Sequence, residues 1–336
     1  MNDEGQNSGL PPEIELGIRL ESIFMPHARE QRDEAIFKKD VRFVHYTSAE
    51  AALSIIRTKR IWMRNAVCMA DYSEVKHGFE ILRRYFSEKS KLNAFIGALD
   101  DSIPGVALEA IQLFNQWWNP GPHSIPLNTY ISSISEHDDK ENLHGRLSMW
   151  RAFGGSTGRV AIVLKLPKFS GATAALNIIF SPVAYLAENE AHAVMDKVVA
   201  NISKNRDFLH SVERPIILNT IFNMLLVGAT CLKHEGFHEE REWRAIYSPK
   251  LRPSNLMECS TELISGIPQR VYKLPLDETV APALIDLDTS RLFDRLIIGP
   301  SPYPWPMYEA FVAELTEAGV PNAENRVWIS NIPIRA

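Results

Sequence analysis

Residues 234–244 read HEGFHEEREWR, and two chemistries overlap in this one stretch. His234, Glu235 and His238 match H-E-x-x-H, in which two imidazoles one helical turn apart hold zinc and the glutamate activates a bound water. From His238 to Arg244 the same letters read as a strand, with Glu240, Glu242 and Arg244 on one face. A segment cannot be both. Gly236 would cost a helix interior about 1 kcal/mol relative to alanine. Lys233 and His234 are cations of the kind a helix C-terminus attracts, and a glycine two places on is the usual stop. Past Gly236 the pattern turns period-two, with Phe237, Glu239, Arg241 and Trp243 alternating against His238, Glu240, Glu242 and Arg244. No third metal ligand is marked downstream, so the expectation is a strand and no metal. His234 is then a helix-end residue and His238 a strand-start residue.

Two carboxylates and a guanidinium on one strand face admit two explanations. They form a structural ion-pair network, or one carboxylate faces a cleft and is oriented by the other and by Arg244.

The 336 residues suffice for one large domain or two ordinary ones, and 45% hydrophobic with 23% charged content is that of a globular protein with a substantial core. A net charge of −5 argues against a protein built mainly to grip phosphate backbones. The three cysteines, Cys68, Cys231 and Cys259, are widely spaced, which fits a reducing cytoplasm and offers no thiolate metal cluster. The polar, acidic opening MNDEGQNSGLPP reads as a disordered tail over 1–12 and not as a targeting signal. PIILNTIFNMLLVGATCL (215–232) is the most apolar stretch; Asn219 and Asn223 within it favour a buried core helix over a membrane span.

Along the chain, VRFVHYTS (41–48) and RIWMRNAV (60–67) read as strands flanking a helix that Ser48 caps. Asp71 and Glu74 suit a helix start. Helices are expected over 13–38, 74–99 and 105–118, a strand over 128–135, and a short helix in RLSMWRAFGG (146–155). GGSTG (154–158) lacks the lysine of a phosphate loop and opens no helix, so it reads as a turn. Strands follow over 158–166 and 177–186, helices over 187–210 and 213–233, and a strand over 239–247. A mixed region then leads to a strand at 295–300, a helix behind the prolines of SPYPWP, and a closing strand at 326–332. The irregular alternation is α+β. One α+β domain over 13–336 is expected, with helical insertions around 74–120 and 187–235.

FVHYTS with its following helix, RIWMRNAVCMADYSE (60–74), SMWRAFGGSTGRVAIV (148–163), EEREWR (239–244) and LIIGP (296–300) fall in one order. That order resembles a bacterial family known as a domain of unknown function, from residue 41 to about 332. Ala70 departs from it, standing where that family usually has Asn. The opening strand with His and Thr, the helix, the second strand and the late acidic strand also resemble the ADP-ribosyltransferase fold, especially its nucleic-acid-modifying toxins.

This more distant resemblance implies a mixed, split β-sheet core of the ADP-ribosyltransferase type, with NAD as substrate. Breaking the nicotinamide–ribose bond creates an oxocarbenium-like centre that a carboxylate stabilises, as in glycoside hydrolysis. It implies Glu242 as that carboxylate, Glu240 and Arg244 as its orienting partners, and His45 and Thr47 as NAD contacts. Tyr46 or Trp150 would wall the nicotinamide ring and Arg151 would meet a phosphate. Each has a plainer reading: His45 as a hydrogen-bonded core histidine, Trp150 and Phe153 as core, and Asp71 and Glu74 as a capping pair. The implied function is an NAD-consuming glycosyl-transfer enzyme, a cytoplasmic toxin or phage-defence effector. Its acceptor would be nucleic acid, protein or water, and an antitoxin or immunity protein its partner. A zinc hydrolase on 234–238 and a non-catalytic recognition or regulatory module are the alternatives.

Overall fold

The computed structural model describes residues 11–68, 72–118, 124–153, 158–168 and 171–333. Most of the expected tail, Asp71 and most of the GGSTG turn lie outside them. The chain divides into two compact units. One comprises 34–72, 126–183 and 237–336; the other comprises 1–33, 73–125 and 184–236. The stretches read as helical insertions therefore fall, with the N-terminal segment, in the second unit.

The strands in chain order are β1 (Arg42–Ser48), β2 (Arg60–Asn65), β3 (Tyr130–His137), β4 (Arg159–Leu164) and β5 (Ile178–Pro182). Then come β6 (Ala184–Tyr185), β7 (Leu232–Lys233), β8 (Glu242–Tyr247), β9 (Glu258–Ile264), β10 (Ile267–Pro275), β11 (Phe293–Ile298) and β12 (Val327–Ile329). All but β6 and β7 join one mixed, open sheet in the first unit, whose long path runs β12-β11-β4-β1-β3-β2-β10-β9. The class is α+β. Only β11 and β12 pair in parallel within this sheet, among the described residues.

Burial on both faces explains the unbroken apolar run of β4. Val160, Ile162 and Leu164 pack into a cluster with Ile56, Leu296, Ile298, Phe311 and Leu315, under the helices Ala49–Thr58 and Pro304–Glu317. Ala161 and Val163 face the other way, with Val44, Tyr46, Ile297, Met149 and Trp150. Ser48 ends β1 and caps the first of those helices by accepting from the Ala51 N–H at 3.2 Å, a contact worth about 1 kcal/mol.

The sheet splits at β3. One edge of β3 pairs β8 from Tyr130↔Tyr247 to Ser135↔Glu242. The opposite edge is shared by two strands: β2 takes Tyr130 and Ile131, and β1 takes Ser135 to His137. Between them, over residues 132–134, β1 and β2 diverge and that edge has no strand partner.

In the second unit, helix Arg214–Thr230 is buried around most of its circumference, at Ile217, Ile221, Phe222, Leu225, Leu226 and Ala229 among others, as a core helix must be. It ends three residues before the expected 233. Lys233 is therefore not a helix-end cation: it lies fully buried in β7, which pairs with β6. No helix among the described residues is long and apolar enough to cross a membrane.

The deciding stretch takes neither conformation at its start. Glu235–Glu240 is a 3₁₀ turn, and β8 begins only at Glu242. Arg241 has φ of 44°, in the left-handed region, and its N–H donates to the His238 carbonyl at 3.2 Å. Both features close the turn and delay the strand. The mixed region after β8 also holds the antiparallel hairpin β9–β10, turning through Ser265 and Gly266 at φ of 52° and 78°. Two successive positive φ values are those of a type I′ turn, and glycine supplies the second without strain.

Candidate active site

A cavity of about 340 Å³ occupies the split. Its walls include His45 and Tyr46 of β1, Trp62 and Arg64 of β2, Ser132 to Ser135 of β3, and Glu240 and Glu242. Met149, Ala152 and Phe153, from the short helix Leu147–Ala152 and the residue after it, also line it. All these residues belong to the first unit.

Register fixes the faces. Ser135 pairs with both Val44 and Glu242, Ser133 with Arg244, and Ile131 with both Ile246 and Arg64. Partners across a sheet point the same way, so Arg64, Ser133, Ser135, Glu242 and Arg244 share one face with Val44 and Tyr46. His45 lies between the last two on β1, and alternation sends its Cβ to the opposite face. Its ring nevertheless meets the cavity, because Nδ1 reaches into the gap, 3.0 Å from the Ser133 carbonyl. That carbonyl sits on the edge left open by the split, so His45 satisfies a backbone group the ladder abandons.

A carbonyl only accepts, so Nδ1 carries the proton and donates. Burial holds the imidazole below its ordinary 6.5, with the Ser133 bond pulling the other way. The ring is therefore neutral at pH 7, and Nε2 is a bare acceptor.

Glu242 and Arg244 are buried, at 6% and 1% exposure, and form a two-point pair: Nε donates to Oε1 at 2.8 Å and Nη2 to Oε2 at 3.1 Å. The fork fixes the plane of the carboxylate. Glu240 belongs to the 3₁₀ turn and not to the strand. It still lines the cavity, and its backbone is pinned from outside. Arg146 donates through Nη1 to the carbonyls of Glu239 (2.6 Å) and Glu240 (3.2 Å), and through Nη2 to that of Glu136 (2.9 Å). Arg146 and Arg241 also hold Glu141. Burial pushes the Glu141 carboxyl up, but these bonds and charges outweigh it and keep the group below the usual carboxylate value. The Tyr46 hydroxyl accepts the Arg146 backbone N–H at 2.7 Å. Its pKa is pushed up to about 12, chiefly by burial, so it stays protonated.

Of the residues expected at the site, the split brings together His45, Tyr46, Glu240 and Glu242, with Arg244 bound behind Glu242. Thr47, Trp150 and Arg151 are not in the cavity wall. Thr47 pairs with Val160 in the body of the sheet, and Arg151 is exposed. Trp150 is fully buried: its indole N–H donates to the His144 carbonyl at 2.7 Å, and its ring meets Tyr46 edge-on at 4.8 Å. The indole stabilises the wall from behind. Trp62 and Phe153 supply aromatic surface instead. Reading the sequence missed Arg64, Ser133 and Arg146. A partial signal was present for Arg64, which shares a strand face with Trp62 in RIWMRN, but the serine-rich NTYISSIS singles out no one hydroxyl.

His234 and His238 do not form the helical zinc pair. His234 lies just before the 3₁₀ turn that holds His238, so the two do not stand one α-helical turn apart on a common helix. His234 instead accepts the Gly236 N–H at Nδ1, at 3.1 Å. Among the described residues no group of three or more His, Cys, Asp or Glu is placed to hold a metal ion.

No curated protein and no solved structure matches the chain. Residues 149–245, from the cavity's Met149 through Glu240, Glu242 and Arg244, match the family model of a protein of unknown function, DUF2971.

Proposed function

We propose that the chain is an NAD-consuming glycosyl-transfer enzyme, an ADP-ribosyltransferase or NAD glycohydrolase, with an ADP-ribosyltransferase-type core and its site in the split. One observation carries this reading: an oriented carboxylate, Glu242, and a neutral histidine, His45, line the same cavity although they lie far apart in the chain. The C–N bond to nicotinamide breaks with its electron pair leaving on the ring nitrogen. Positive charge develops on the ribose, and Glu242 stabilises it. The acceptor (water, nucleic acid or protein) then bonds to the anomeric carbon and loses its proton to solvent, while nicotinamide leaves as the neutral base. Glu240, on the same cavity, adds a second negative charge. His45 Nε2 accepts from a ribose hydroxyl, and Tyr46, Trp62 and Phe153 form the apolar wall for the nicotinamide ring.

A second reading has its own support. The Glu242–Arg244 fork is already closed, as a purely structural ion pair would be, which suits a non-catalytic recognition module.

Titration calorimetry tests binding. Wild type binds NAD, and His45→Ala, which removes the ring acceptor, weakens it by about five- to tenfold, the worth of one hydrogen bond. Absence of NAD binding by the wild type removes the proposal.

A further inference from the structure

Arg64 is the one cation among the described residues of this cavity's wall, and it is held more loosely than the arginines around it. Arg42 pairs with Asp294, Arg146 with Glu141 and Arg244 with Glu242. Arg64 has no carboxylate partner among the described residues. Its Nη2 donates to the Cys68 carbonyl at 2.7 Å and, more weakly, to Gln269 Oε1 at 3.4 Å. Its Nε is buried with no hydrogen-bond partner, and so is Ser133 Oγ. Both side chains line the cavity, and both lie on the face that carries Glu242. A buried donor left unmet costs about 1–3 kcal/mol, more when charged, and two of them on one cavity wall call for an acceptor-rich ligand group.

We propose that the β2 side of the cavity is an anion subsite, in which Arg64 and Ser133 take a phosphate-class group of the ligand. Glu242 holds the other end. Arg64 stands beside Ile131 and Glu242 beside Ser135, about 13 Å apart along β3, a gap that the two side chains shorten as they reach inward. The cavity is thus polarised, with a cation at one end and a carboxylate at the other. A dipolar ligand, with an anionic group joined to a centre that turns positive, enters it in one orientation. This subsite rests on the NAD reading only for the identity of the ligand; the chemistry at Arg64 is independent of it.

The test compares NAD, nicotinamide riboside (the same glycosidic bond without phosphate) and inorganic pyrophosphate, by calorimetry on wild type, Arg64→Gln, Arg64→Lys and Ser133→Ala. Arg64→Gln should weaken NAD about 10- to 100-fold, the range for a hydrogen bond to a charged group, and leave the riboside unchanged. Arg64→Lys keeps the charge and recovers part of the loss. Pyrophosphate should bind wild type, more weakly at high salt, and not Arg64→Gln. Pyrophosphate binding that depends on Arg64 in a protein that ignores NAD and the riboside would uphold the subsite and end the NAD reading. Equal losses of NAD and riboside, or no loss of either, would overturn the subsite. So would a wild type that binds neither pyrophosphate nor NAD.

Discussion

His45 shows how one side chain links backbone, charge and chemistry. Its position in a strand made a hydrogen-bonded core histidine the plainer reading, and the Ser133 bond is of that kind. The same ring reaches the cavity because the split removes the strand that would otherwise cover it. Its lowered pKa has a consequence for folding. Unfolded, the imidazole titrates near 6.5; folded, it resists protonation. The contribution is therefore complete above about pH 6.5 and is lost as pH falls from there through the lowered folded value. His27 and His137 are shifted the same way by burial, so they share the slope. Urea midpoints should fall between pH 7.5 and 5.5, and His45→Gln, which keeps a donor for Ser133 and does not titrate, should make that fall shallower. A His45→Gln protein with the wild-type slope would show that His45 does not titrate on unfolding. Glu242 and Arg244 were legible as a pair from their spacing alone, because two residues apart on a strand is one face. Arg64 was not, since its missing partner shows only once the strands are assembled.

Elements were legible where period or composition is strong. β1, β4, β11 and the helix Pro304–Glu317 fall within a few residues of expectation, since apolar runs bounded by Ser, Gly or Pro leave little choice. The hairpin β9–β10 escaped notice because β9 is an edge strand with much exposed surface, and its sequence lacks a clear apolar face. The start of β8 was misplaced because alternation continued on paper through a turn that Arg241's backbone and Arg146's guanidinium impose. The helix Leu147–Ala152 packs Trp150 against the end of β11 so tightly that Gly299 has no room for a side chain. A Cβ there would lie 2.9 Å from the indole and 3.0 Å from Arg159 Cβ. Gly299→Ala should cost about 1–3 kcal/mol, the usual penalty for overpacking, and lower the urea midpoint at unchanged slope. An unshifted midpoint would mean that the wall behind Tyr46 yields more easily than its packing implies.

For the whole molecule, the sequence conveyed the α+β class and the order of most elements; that the helical segments scattered along the chain gather into one unit shows only in space. Nor could the sequence place the cavity, which exists because two strands compete for one edge of β3. In the proposed reaction Glu242 acts through its charge, which is needed only as the glycosidic bond breaks. Removing it leaves Arg244 buried without its counter-charge, a loss that can reach about 3–5 kcal/mol, so folding must be followed alongside activity. Glu242→Asp keeps the charge but withdraws it by one methylene. The decisive measurement is nicotinamide release from NAD by wild type, Glu242→Gln and Glu242→Asp, each first shown to be folded by circular dichroism and to bind NAD, with nucleic-acid and protein acceptors supplied. The expected result is release by wild type and a fall of about two to three orders of magnitude in Glu242→Gln at little-changed NAD affinity, with Glu242→Asp in between. Equal release by wild type and a folded Glu242→Gln would contradict the role given to Glu242, and NAD bound by the wild type but never cleaved would favour the recognition module.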